Sequence, residues 1–86
     1  MVKIIDGSRM LDRASAHAEL ARALGFGPHY GGNLDALWDE VSTMDADAVL
    51  TGAVHMLNAL GTYGCRILQV LFEASKDASS FHFTLQ

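Results

Sequence analysis

Three short β-prone segments lie far apart in this chain, each divided from the next by helical periodicity. No other feature restricts the fold as much. Val2–Ile5 is rich in β-branched residues and runs into Asp6-Gly7, a turn dipeptide. Ala48–Thr51 is the second segment, and Phe81–Leu85, which alternates apolar and polar, is the third. Between the first two, Asp12 can cap a helix running to about Leu24, with Ala16, Leu20, Ala23 and Leu24 inward. Gly25-Phe26-Gly27-Pro28 stops it, since the proline cannot continue a helix. A second helix opens at Asn33 and is expected to end near Thr43 or Met44, with Asp45-Ala46-Asp47 as a polar connection to the second strand. Beyond that strand, Val54–Leu60 reads as two helical turns ended by Gly61. Thr62 then caps the longest helix, which reaches about Asp77. Its apolar face is Ile67, Leu68, Val70, Leu71 and Phe72, with Arg66, Gln69, Glu73 and Asp77 along the opposite edge, and Ser79-Ser80 breaks the pattern. Helical crossovers return the chain to the same end of a sheet, so the strands must mostly run parallel. The expected architecture is a small α/β fold: a three-stranded parallel sheet packed with about four helices, one domain over residues 1–86.

Size and charge narrow the function. Eighty-six residues form one small core at most, and half of them are apolar. The single Cys65 cannot form an internal disulfide, which fits a reducing compartment. No apolar run approaches the ~20 residues of a membrane span, and the start of the chain lacks the pattern of a secretory signal. A cytoplasmic location, with no membrane association, is the expectation. The net charge is −4, and the charges are segregated. No lysine or arginine occurs between Arg22 and Arg66, while that interval holds Asp35, Asp39, Glu40, Asp45 and Asp47. Direct nucleic-acid binding needs cations to replace phosphate counterions, so this layout argues against it. It favours a basic partner, whose approach the acidic field would accelerate. A merely solubilising acidic face is the competing explanation.

The second helix concentrates the information. Asn33 can accept a bond from a free amide of the first turn. Leu34, Leu37, Trp38 and Val41 follow at i, i+3, i+4 and i+7, one buried stripe. Asp35 and Asp39 share another face with Glu40 beside them. Like charges at i and i+4 repel by roughly 0.2–0.5 kcal/mol, and the last two acids sit toward the helix end where carboxylates are disfavoured. A helix chosen for stability alone would carry a lysine at one of these positions. The helix reads as a surface kept acidic for a partner.

The run Tyr30-Gly31-x-Asn33-Leu34-Asp35-Ala36-Leu37-Trp38-Asp39 resembles the central motif of the barstar family, intracellular inhibitors of barnase-type microbial ribonucleases. Ile4-Ile5-Asp6-Gly7 and Leu68-Gln69-Val70-x-x-Glu73-Ala74 resemble that family's first strand and last helix, so the likeness covers essentially the whole chain. It is weakest between Asp45 and Gly61. The resemblance implies the same three-stranded parallel architecture. It also implies that the chain is no enzyme, needs no cofactor and binds a basic extracellular-type ribonuclease or a related nuclease toxin. Asp39 would fill the nuclease's phosphate site, and Asp35 would support it from one turn earlier. Arginine forks bind carboxylates and phosphates by the same paired hydrogen bonds, which makes such mimicry chemically sound. Tyr30 and His29 would cover the site, with Gly31, Asn33, Leu34, Trp38, Ser42, Thr43, Met44 and Glu73 completing the contact edge. The chain departs from the family at several of these positions. His29 replaces an aromatic, Gly32 stands where many members carry an acid, and Thr43-Met44 stands where glycine and tryptophan are common.

Each of these residues also has a bland alternative. Asp35 and Asp39 can be a solvated helix face, Tyr30 a turn residue packed over the core, and Trp38 a core residue. Asn33 can be a cap alone and Glu73 an ordinary exposed glutamate. His17 shares a face with Leu20 and Leu24, which marks a hydrogen-bonded core histidine rather than a ligand. His55 and His82 have no partner at a ligand spacing, and no nucleophile, phosphate-loop or zinc motif is present. Three functions therefore compete. The first is a stoichiometric ribonuclease inhibitor, or an immunity protein to a different nuclease toxin; here Asp39→Ala is expected to cost far more affinity than Glu19→Ala. The second is a metal-binding or hydrolytic domain using Asp35, Asp39 and Glu40 on Mg²⁺ or Ca²⁺. The third is a barstar-like regulatory interaction domain with no nuclease partner.

Overall fold

The computed structural model describes residues 2–77 and 80–86. Strand β1 (Val2–Asp6) leads through a 3₁₀ turn at Gly7–Arg9 into helix α1 (Arg13–Leu24) and then α2 (Leu34–Val41). Strand β2 (Ala46–Thr51), helices α3 (Ala53–Leu60) and α4 (Thr62–Asp77) and strand β3 (Phe81–Leu85) follow. The sheet has the order β1-β2-β3 with both pairings parallel. The expected α/β architecture, with three parallel strands and four helices, is what the chain adopts. Of the expected Ser79-Ser80 break, Ser79 lies outside the described residues.

Both crossovers step in the same direction across the sheet, so right-handed connections place both helix pairs on one face. Burial follows that geometry. Ile5, Ala48, Leu50, Phe81 and Phe83 are buried on the covered face, while Val2, Ile4, His82 and Thr84 on the other face are exposed. Parallel sheets are ordinarily covered on both sides; this one is covered on one. Beneath the helices, Ala16, Leu20 and Leu24 of α1, Leu37 and Val41 of α2, and Ile67 and Leu71 of α4 join a single core. Phe72, expected on the apolar face of α4, is instead exposed at its margin, its ring in a T-shaped pairing with Phe83, 4.9 Å between centroids. Gly64 and Ala74 are buried on that face together with Ile67 and Leu71.

Local chemistry sets the element ends. Asp6 accepts from the Ser8 amide (3.0 Å) and hydroxyl (2.6 Å), which folds the strand end into the 3₁₀ turn and holds its carboxyl below the usual range. Gly7 is required there, because a Cβ would lie 2.5 Å from the Gly52 carbonyl oxygen. Asp12 caps α1 by accepting from Ser15 N–H (2.8 Å), and Ser15 Oγ accepts from Asp12 N–H (3.0 Å).

Three expected boundaries move. Helix α2 ends at Val41, short of Thr43 and Met44. The Met44 amide turns back to Val41 O (3.3 Å), a three-residue spacing, and the Thr43 hydroxyl donates to Asp39 O (3.3 Å) in place of a continuing ladder amide. Strand β2 begins at Ala46, so Ala46 and Asp47 belong to the strand rather than to a polar connection. Pairing of Asp47 with Val2 and of Ala46 with Phe81 overrides their weak strand propensity. Thr62 is the first residue of α4, not its cap. Gly61 (φ 57°, ψ −128°) makes the whole turn between α3 and α4 in a conformation suited to glycine, and its carbonyl receives the Cys65 amide at 3.3 Å.

Candidate partner-binding surface

The run Tyr30–Asp39 falls on α2 and on the loop that enters it. Asn33 is extended (φ −139°) and its Oδ1 accepts from Ala36 N–H at 2.7 Å, the expected N-cap. Leu37 and Val41 are fully buried, with Leu34 and Trp38 half-buried against the same core. The stripe anchors the helix, mainly through its central pair. Asp35 and Asp39 are both exposed, one turn or about 6 Å apart along the axis. Neither carboxylate has a hydrogen bond or ion pair among the described residues. Glu40 beside them is half-buried.

In the entering loop, His29, Gly31 and Gly32 are exposed. Tyr30 is half-buried, its ring 4.6 Å from Phe26 and its amide turned onto Gly27 O at 3.2 Å. Packing over the molecule's own core therefore accounts for most of Tyr30, and only the rest of its ring faces solvent. Burial, then Tyr63 and Glu40, raise its phenol well above the ordinary value, so it stays a neutral hydrogen-bonding group. At the far end of α2, Ser42 is half-buried in the cap, Thr43 is exposed and Met44 packs against the core. Glu73 is exposed on α4, the helix against which α2 packs, and accepts from Gln69 Nε2 at 3.2 Å. The loop, the α2 acids and the α4 acid thus lie on adjoining elements.

His17 is the hydrogen-bonded core histidine that its position predicts. Its Nδ1 lies 2.7 Å from Tyr30 Oη and its Nε2 2.6 Å from Tyr63 Oη. Burial pushes the imidazole below its ordinary value and keeps it neutral. The sequence reading missed Tyr63 altogether; a second tyrosine following the Gly61 turn was the available signal. It also treated Glu19 as a bland acid. Glu19 is only 4% exposed: Oε2 accepts from Asp6 N–H (2.8 Å), and Arg22 donates Nε to Oε1 (2.8 Å) and Nη2 to Oε2 (2.6 Å). Those Arg22 bonds, outweighing burial, hold its carboxyl below the usual range. Glu19→Ala is consequently no neutral control for Asp39→Ala. The spacing of Glu19 and Arg22 at i, i+3 was the overlooked sign.

An open cleft of about 430 Å³ separates α1, at Ala14, Ala18 and Ala21, from the loop at Gly27, Pro28 and Gly32. Among the described residues, no group of three His, Cys, Asp or Glu side chains is arranged to hold a metal ion, so Asp35, Asp39 and Glu40 do not form such a site. No helix among them is long and apolar enough to cross a membrane.

Comparison with known proteins agrees with the motif. A family model described as "Barstar (barnase inhibitor)" matches residues 1–86. The Bacillus subtilis (strain 168) protein called "Putative ribonuclease inhibitor YrdF" is 34% identical over 77 residues, covering 86% of this chain and 85% of that protein. Full-length agreement with the family model, on top of the fold, leads to one identification: this chain belongs to the barstar family, a family of inhibitors rather than enzymes.

Proposed function

We propose that this chain is a stoichiometric inhibitor of a basic microbial ribonuclease, acting inside the producing cell as a single domain. The observation that carries the reading is the unpartnered pair Asp35 and Asp39, held outward on a helix whose opposite side is locked into the core. In this reading Asp39 enters the nuclease's cationic phosphate pocket, where arginine forks bind its carboxylate as they would a phosphate. Asp35 adds charge one turn earlier. Tyr30 and His29 cover the rim and exclude water, which strengthens the charged contacts beneath them. Gly31, Asn33, Leu34, Trp38, Ser42, Thr43 and Met44 shape the edge, and Glu73 contributes a second acidic point from α4. Because the acids lack internal partners, the association brings together opposite charges without first breaking bonds inside the inhibitor.

His29, Gly32 and Thr43 differ from the family and are all exposed. Those differences favour a cognate nuclease other than barnase itself, including a toxin to which this chain confers immunity. Titration calorimetry against a panel of barnase-type ribonucleases tests the proposal. One-to-one binding that weakens with added salt supports it. Absence of binding to any of them leaves the regulatory-domain alternative in its place.

A further inference from the structure

We infer that His17 and Tyr63, both outside the acidic motif, are positioning residues that hold the Tyr30 loop in its binding conformation. This rests on the proposed inhibitory role of that loop. Among the described residues, no backbone hydrogen bond joins Gly27–Gly32 to another element; the Tyr30 amide bonds within the loop, to Gly27. The Tyr30 ring packs against His17, 5.7 Å between centroids, while the exposed glycines and proline of the loop border the open 430 Å³ cleft beside α1. Among the described residues, the side-chain hydrogen bond that fastens this loop to α1 is that between Tyr30 Oη and His17 Nδ1 at 2.7 Å.

His17 is itself held from behind. Its other nitrogen is 2.6 Å from Tyr63 Oη at the start of α4, and the Arg13 guanidinium sits 4.3 Å above the Tyr63 ring. A neutral imidazole has one N–H donor and one acceptor nitrogen. One tyrosine hydroxyl must therefore donate to His17 while the other accepts from it. The imidazole joins α1, the loop and α4 through a directional chain, and no buried side-chain nitrogen or oxygen among the described residues is left without a partner. Removing either end leaves the ring without a partner at that nitrogen and frees it to turn. A loop ordered before binding avoids the entropy of being ordered by the partner.

Three variants test the chain. Tyr63→Phe keeps the ring beneath Arg13 and removes only the hydroxyl. His17→Leu removes both links, and His17→Gln restores one donor and one acceptor. In the free protein, amide hydrogen exchange across residues 26–33 should quicken for Tyr63→Phe and His17→Leu, while β2 amides stay protected and His17→Gln recovers part of the loss. Against a ribonuclease that the wild-type protein binds, His17→Leu should weaken affinity about tenfold, equivalent to ~1.4 kcal/mol. It should add little when Tyr30→Phe is already present, because both changes break the same link. Unchanged loop exchange in Tyr63→Phe and His17→Leu would overturn the inference, as would an equal affinity cost with and without the Tyr30 hydroxyl. Should no ribonuclease bind the wild-type protein, the inhibitory role fails, and the inference that rests on it fails too. The exchange measurement then still decides whether the tether exists. If His17→Leu does not fold, Tyr63→Phe carries the same test.

Discussion

The acids of the first two dozen residues and those between Asn33 and Asp47 carry the same charge but stand in different chemistry. Asp6 folds a turn, Asp12 caps α1, and Glu19 accepts from Asp6 N–H and from Arg22 in three bonds. Each answers a need of the fold. Asp35, Asp39, Glu40, Asp45 and Asp47 have no side-chain hydrogen bond or ion pair among the described residues. Charge alone cannot separate the two groups; what separates them is whether the carboxylate oxygens are already satisfied. A satisfied acid contributes to stability, and an unsatisfied one remains available to a cationic partner.

That contrast breaks or stands on substitutions made in each region. The largest expected effect is Asp39→Ala, which should weaken binding to the ribonuclease by about a hundredfold, the loss of two charge-assisted bonds, with no loss of thermal stability. Calorimetric titration and a melting curve measure both on one sample. Glu19→Ala should do the reverse. It strands the Asp6 amide and should lower stability by about 1–3 kcal/mol, while the folded fraction keeps its affinity. Denaturant titration checks that loss, and a large affinity change without a stability change would erase the distinction.

Acidity provides a third comparison, because the structural groups titrate and each does so with a known sign. His17 has a lowered value in the folded state, so the unfolded chain binds the extra proton first and stability falls as pH drops below about 6.5. Glu19 is also lowered, so its contribution is complete above about 4.5 and is lost as pH falls further. Denaturant midpoints across this range should show two successive declines, and His17→Gln should remove the upper one. A flat profile between pH 7 and 5 contradicts the assignment.

The smallest effect has the opposite sign. Asp39→Lys replaces a like-charge i, i+4 pair with an attractive one near the C-terminal end of α2, and should raise stability by about 0.3–0.5 kcal/mol. The same change should abolish inhibition. If it lowers stability, Asp39 has a structural partner after all.

Much of this was readable in the residues, and what was not has identifiable causes. The α/β order, the Asn33 cap and the buried Leu37–Val41 pair follow from local pattern, which is where sequence is most explicit. The end of α2 was not, because no glycine or proline follows Val41 and the stop comes from the Thr43 hydroxyl and a tight turn at Met44. The start of β2 depends on pairing with strands more than forty residues distant in one direction and about thirty-five in the other. His17 was legible as a bonded core residue, but its tyrosines lie 13 and 46 positions away, beyond any periodic signal. Glu19 was misjudged for the same reason, since its main-chain donor is 13 residues upstream.

The most direct test compares two exposed acids in one titration against a ribonuclease that the wild-type protein binds: Asp39 on α2 and Asp47 on the uncovered face of the sheet. Both substitutions to alanine remove one negative charge from an exposed position. If unpartnered acids on α2 are the binding surface, Asp39→Ala loses about two orders of magnitude in affinity, and Asp47→Ala changes it only through a small, salt-sensitive effect on approach. Equal losses would show that overall charge, not this helix, holds the partner, and would contradict the account.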